Sequence, residues 1–253
     1  MPSGIPDAAL VRLGDASAVA EWVAERLLQA RLDWPDKPLG LATGRTMEPV
    51  YRALVARVEG WPAARRDAVL KGWRSFNLDE YVGLGPEDPG AFTAEMRRQL
   101  GRPLGLEPRQ LRLPDGLASD PLAEAAQYGA ELRAAGGIGL QLLGLGLNGH
   151  VGFNEPPCGP QAACRCVLLS AATRAQNAAA FGADPAAVPS RAITLGLAEI
   201  LAAQELLLVV TGAGKRSILA RLLHGAPDPE LPASWLQQHP RLSVVVDQAA
   251  WPG

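Results

Sequence analysis

The chain has 253 residues, 48% of them apolar, with 24 basic against 26 acidic side chains and a formal net charge of −2. That is enough apolar sequence for one large core, and so even a charge balance leaves no electrostatic footprint for nucleic acid. No stretch approaches the roughly 18 consecutive apolar residues of a membrane span, and no charged-then-apolar leader opens the chain, so the expectation is a cytoplasmic protein acting on small metabolites.

In chain order, residues 16–32 carry apolar positions at helical spacing, 38–42 read as a short buried strand, and 47–59 return to helical spacing. The alternation repeats, with buried strands predicted at 73–78, 140–147, 205–211 and 242–246. Helical stretches lie between them around 91–100, 119–135, 174–181, 214–224 and 232–238. This is the pattern of an α/β fold, a single Rossmann-like domain over 1–253 with a mostly parallel sheet covered by helices on both faces. The Pro/Gly clusters at 85–90, 103–115 and 156–160 are loop-sized, and neither a repeat nor a linker interrupts the chain.

Four predicted strands end in polar turns, which is where open α/β sheets place their chemistry. Residues 144–156, GLGLNGHVGFNEP, set His150 and Glu155 in a Gly-rich turn. Residues 39–46, LGLATGRT, run into Thr43, Gly44, Arg45 and Thr46 just before a helix. Backbone N–H groups, two hydroxyls and a helix N-terminus converging there make an anion site, against the plainer reading of a Thr N-cap. In SFNLDEYVGL the acids Asp79 and Glu80 follow an apolar strand, either as solvated turn residues or with one of them as a general base. In VVTGAGKRS, Lys215 stands at a helix N-terminus, where the helix dipole disfavours a cation unless an anion is shared with it. The chain has only three lysines against 21 arginines, which makes that placement notable.

Two nucleotide motifs are only apparent. GLGLNG at 144–149 fits the dinucleotide spacing but has no acid about 20 residues on to hold a ribose. A phosphate-loop reading of 209–216 would need glycine at Val209 and a hydroxyl at Arg216. Cys158, Cys164 and Cys166 are an odd set without a fourth ligand nearby, which favours a reducing compartment over disulfides and fits no common metal site. His224 and His239 read as structural.

With these motifs assembled, the sequence resembles the glucosamine-6-phosphate deaminase family, which shares its fold with 6-phosphogluconolactonases and ribose-5-phosphate isomerases. The likeness runs through LGLATGRT, FNLDEYVGL, GLNGHVGFNEP, LGLAEIL, VVTGAGK, LQQHP and VVVDQAA. It implies that glucosamine 6-phosphate is converted to fructose 6-phosphate and ammonia without metal or organic cofactor. Asp79 would move a proton between C2 and C1, and His150, supported by Asn148 and Glu155, would open the sugar ring. Thr43, Gly44, Arg45, Thr46, Glu80 and Lys215 would bind the substrate, with Lys215 and the 43–46 turn on the 6-phosphate.

Three departures stand out. Asn148 replaces the aspartate of the larger members. Ala179 stands where they carry a phosphate-binding arginine, which Arg45 could replace. Of the residues that form an allosteric pocket in hexameric members, only Arg165 remains. The partner implied is a small amino sugar phosphate, with a monomer or small homo-oligomer as the assembly. The galactosamine epimer, a lactonase activity and a non-catalytic sugar-phosphate sensor are the competing readings.

Overall fold

The computed structural model describes residues 5–6 and 9–253; the start of the expected 1–253 domain, and with it the expectation that no leader opens the chain, lies outside the described residues. In chain order the elements are β1 (Leu10–Leu13), α1 (Ala16–Asp33), β2 (Leu39–Leu41), α2 (Glu48–Glu59), α3 (Ala63–Lys71), β3 (Ser75–Asn77) and β4 (Asp79–Tyr81). Next come α4 (Phe92–Met96), running through one π-turn into α5 (Arg102–Leu104), then β5 (Leu111–Arg112), α6 (Pro121–Ala134) and β6 (Leu140–Gly144). The chain continues through β7 (Arg165–Leu168), α7 (Ala171–Asn177), β8 (Arg191–Thr194), α8 (Leu197–Leu201), β9 (Glu205–Val210), α9 (Arg216–His224) and β10 (Leu242–Asp247).

Seven strands form a parallel sheet in the order β1-β10-β9-β6-β2-β3-β5. Almost every residue of β6, β9 and β10 is buried, so both faces of the sheet centre are covered, as the unbroken apolar runs require. The helices are set by local chemistry. Asp15 caps α1 by accepting from the Ala18 amide at 2.8 Å, and Val19, Ala20, Val23, Ala24, Leu27 and Leu28 form its buried stripe. Asp120 caps α6 and Ser170 caps α7 in the same way.

The order of the sheet places the site. From β2 the chain steps outward to β3 and β5, whereas from β6 it steps the other way to β9 and β10. β2 and β6 share a single registered pair, Gly40 with Gln141, and the switch point of the doubly wound sheet falls between them.

A second, three-stranded antiparallel sheet, β4-β8-β7, is absent from the sequence-based reading, and so are β1 and α3. Residues 75–84 are predicted to be a strand ending in a polar turn, but the acids lie in β4. The Leu78 amide donates to Leu41 O at 2.9 Å, its carbonyl accepts from the Leu195 amide at 2.7 Å, and Asp79 then pairs with Thr194. Two consecutive acids read as a solvated turn, and only partner strand β8 supplies the ladder that makes them extended. The helices predicted at 91–100 and 174–181 keep their place but change character: the first contains the π-turn over Arg97–Gly101, and the second ends in a 3₁₀ turn over Ala178–Phe181. The segment at 232–238 is 3₁₀ rather than α.

Candidate active site

A cleft of about 430 Å³ opens above the carboxyl ends of β2 and β6, lined by Thr43, Gly44, Arg45, Thr46, Asp79, Gly146, His150 and Lys215 among others. Seven of the ten sequence-predicted site residues thus meet there, drawn from four separate segments.

The turn after β2 leads into the open N-terminus of a helix. Gly44 has φ +104°, open to glycine at little cost, and its carbonyl accepts from the Met47 amide at 2.8 Å, closing the turn onto α2. No side chain caps the N-terminus of α2, so its first amides keep their capacity for a ligand. Opposite, the turn after β9 is tied down by Asp247, which accepts from the Gly212 amide at 3.0 Å, and it carries Lys215 into the cleft. Burial and then the neighbouring Arg45 guanidinium lower the Lys215 pKa, so the two cations face one another with repulsion that a bound anion would relieve. Ala179 and Arg45 both line this cleft.

Asp79 is 6% exposed. Burial first, then the Glu80 and Glu95 carboxylates, push its pKa well above the ordinary carboxylate range. Such a carboxyl is a stronger base than a solvated aspartate, as proton abstraction from carbon requires.

His150 lies against Gly146, where a Cβ would overlap its ring. Its Nδ1 is 2.6 Å from Asn148 Oδ1; since an amide oxygen only accepts, the contact assigns the proton to Nδ1 and leaves Nε2 as the acceptor. Burial lowers the His150 pKa to about 4 against the opposing pull of Glu155, with Lys215 adding to the drop. The imidazole is therefore neutral at pH 7.

Three predicted site residues do not line this cleft. Glu80 faces away, accepting from the backbone amides of Tyr81, Phe92 and Thr93 at 2.8, 3.0 and 2.7 Å. It anchors the start of α4 and has no free lone pair turned to a ligand in the cleft, because alternation along β4 sends adjacent side chains to opposite faces. Asn148 and Glu155 line an adjoining groove with Arg165, Leu168 and Ser170. Asn148 still reaches His150 directly. Glu155 instead accepts from the Ser170 amide at 2.9 Å, from Ser170 Oγ at 2.6 Å and from Thr173 Oγ1. Partial burial opposes its charge, but those hydrogen bonds outweigh it and hold the carboxyl below its usual range. It acts on His150 through its field alone.

Sequence reasoning missed Glu95 and Arg98, which also line the cleft. Their i, i+3 spacing on a predicted helix puts them on one face, and that was the available signal. Burial raises the pKa of Glu95, while the bond from the Gly44 amide works against the shift. Among the described residues no group of three or more His, Cys, Asp or Glu side chains is placed to hold a metal ion. His239 is structural in its contacts, with Nε2 2.9 Å from Ala203 O.

A doubly wound sheet whose switch point gathers paired cations, a buried carboxyl and a neutral imidazole around one cleft defines an α/β enzyme working by acid–base chemistry on a small anionic metabolite. Residues 15–245 match the family of glucosamine-6-phosphate isomerases/6-phosphogluconolactonase, and the chain belongs to that family. It is 41% identical over 241 residues to a glucosamine-6-phosphate deaminase of Streptomyces coelicolor, covering 95% of this chain and 90% of that protein. A deaminase of Rhodopirellula baltica is also 41% identical, over 235 residues that cover 93% of this chain and 90% of that one. A solved structure of a monomeric glucosamine-6-phosphate deaminase aligns with TM-score 0.89 at 31% identity, covering 95% of this chain and 98% of that chain. The fold extends to a 6-phosphogluconolactonase from Shewanella baltica, with TM-score 0.73 at 17% identity over 97% and 100% of the two chains.

Proposed function

We propose that the chain converts glucosamine 6-phosphate and water to fructose 6-phosphate and ammonia. The observation that carries this reading is the convergence of Asp79, His150 and the Arg45–Lys215 pair on one cleft. The 6-phosphate is held by Arg45, Lys215, Thr43, Thr46 and the N-terminus of α2. Neutral His150 accepts the C1 hydroxyl proton at Nε2 and returns it to the ring oxygen, opening the sugar, while Asn148 keeps Nδ1 protonated. Ionised Asp79 takes the C2 proton and delivers it to C1. The resulting C2 imine adds water and expels ammonia, leaving the ketose.

Relatives that share 41% identity carry the name of this activity, and a carboxyl poised to move a C–H proton is superfluous in lactone hydrolysis. We read the 253 residues as one domain and the protein as a cytoplasmic monomer or small homo-oligomer; among the described residues no helix is long and apolar enough to cross a membrane. The test is ammonia and ketose phosphate release assayed in parallel on glucosamine 6-phosphate, galactosamine 6-phosphate and 6-phosphogluconolactone. Release of both products from the gluco epimer is expected. Turnover of the lactone alone would refute the reading, and preference for the galacto epimer would correct the substrate.

A further inference from the structure

Of the acids that line the cleft, Glu95 and Glu48 have no use in the anion anchor or the proton transfers above, and Glu95 is the partly buried one whose carboxylate is fixed by hydrogen bonds. It projects from α4, and its Oε1 accepts from the Gly44 amide at 3.1 Å and from Gln99 Nε2 at 3.1 Å. Both bonds fall on one oxygen, so Oε2 keeps its full accepting capacity, and the side chain lines the cleft with Asp79 and Arg98. Two donors from different elements fix the carboxylate, which is how a recognition group is held ready for a ligand. Its place is also defined along the cleft. Through Gly44 it touches the turn that leads into Arg45, and on the other side it is close enough to Asp79 to bear on that carboxyl.

A carboxylate so near the anion anchor repels a phosphate. It is favourable only if it meets a hydrogen-bond donor of the same ligand, and the donors between a 6-phosphate and C2 are the hydroxyls of the intervening carbons. We propose that Glu95 is a specificity-determining residue whose Oε2 accepts a hydrogen bond from the C3 or C4 hydroxyl of the amino sugar phosphate. The inference rests on the function proposed above and names the group that reads the middle of the same substrate. It also accounts for Gly44 donating to Glu95 rather than standing open: that amide orients the recognition group, and the phosphate is left to Arg45, Lys215, Thr43, Thr46 and α2.

The experiment compares the native enzyme with Glu95→Gln and Glu95→Ala on glucosamine 6-phosphate and on its 3-deoxy and 4-deoxy analogues, with inorganic phosphate as a competitive inhibitor. On the parent sugar, kcat/KM should fall about 10-fold in Glu95→Gln and up to about 100-fold in Glu95→Ala. On at least one deoxy analogue the native enzyme should already show the loss, and the substitutions should then change kcat/KM by less than about twofold. Inhibition by inorganic phosphate should tighten by no more than about threefold, the relief of the carboxylate's repulsion. Equal losses on the parent and both analogues, or no loss on the parent, would overturn the assignment. A gain in phosphate affinity of about tenfold or more in Glu95→Gln would also overturn it, making Glu95 an internal competitor for the anion site. A native enzyme inactive on both amino sugar epimers would instead remove the proposed function, so the two failures are distinguishable.

Discussion

The two sheets contribute different things to the cleft. The seven-stranded parallel sheet brings Thr43–Thr46, His150 and Lys215 on turns after β2, β6 and β9, while Asp79 stands on β4 of the small antiparallel sheet. The proposed anchor is built from exposed or half-buried cations and backbone amides, which suit a solvated dianion. The proposed base, Asp79, is 6% exposed and pressed by two neighbouring carboxylates, which suits a weakly acidic C–H. One molecule thus holds a high-charge region and a buried, base-strengthening region against each other, with Leu78 bonded to Leu41 of β2 and to Leu195 just beyond β8 as the joint. Binding and chemistry should therefore separate on mutation.

The sharpest break of that comparison is Asp79→Asn, which keeps shape and removes the base. A placed proton-transfer group is worth about 10²–10⁴-fold, so kcat should fall by that factor while KM stays close to native. A comparable rise in KM would show that β4 belongs to the anchor as well.

Next in size is the pair Asn148→Ala and Glu155→Gln. Asn148 contacts the imidazole at 2.6 Å, whereas Glu155 is spent on Ser170 and Thr173. Loss of a hydrogen bond to a group that becomes charged costs about 1.5–3 kcal/mol, so Asn148→Ala should lower kcat about 10- to 100-fold. Of the two residues expected from the sequence to support His150, Asn148 should therefore matter more. Glu155→Gln should cost less in kcat and should lower the thermal midpoint through its contacts at the start of α7. A kcat loss for Glu155→Gln exceeding that for Asn148→Ala would show that the Glu155 charge, and not the Asn148 amide, sustains the imidazole.

On the anchor side, Lys215→Ala should raise KM about tenfold with kcat little changed, since it removes one charge-assisted contact. Arg45 is exposed, and solvent screening should reduce its share to about three- to tenfold. If Arg45→Ala leaves KM untouched, Arg45 does not replace the arginine absent at Ala179.

The smallest effect expected is a displacement of the pH profile. A carboxyl whose pKa is raised becomes a base only at higher pH, so kcat/KM should be lost as pH falls through the raised Asp79 pKa. His150, lowered to about 4, stays neutral over that range and leaves the acidic limb to Asp79. Glu95→Gln removes one of the two charges that raise Asp79 and should move the limb down by less than about one pH unit. A limb that moves up instead would place the titrating group elsewhere.

Much of the proposed anchor is legible in the chain. A buried apolar strand followed by Thr-Gly-Arg-Thr or Gly-Ala-Gly-Lys is a local signal, because strand, turn and helix start are neighbours in sequence and backbone amides at a helix N-terminus need no distant partner. The acid–base residues were legible as residue types at strand ends. Their orientations were not: whether Asp79 or Glu80 faces the cleft depends on β4 pairing with β8 more than a hundred residues later. Likewise, Glu155 turns from His150 to Ser170 because α7 packs beside it. Composition and periodicity determined the α/β class, the central strands and the phosphate-type turns, since burial on both sheet faces and turn chemistry are written in adjacent residues. The second sheet, the burial that strengthens Asp79, the tautomer of His150 and the presence of Glu95 beside Gly44 were decided only by tertiary structure, because each depends on desolvation or hydrogen bonding by groups remote in the chain.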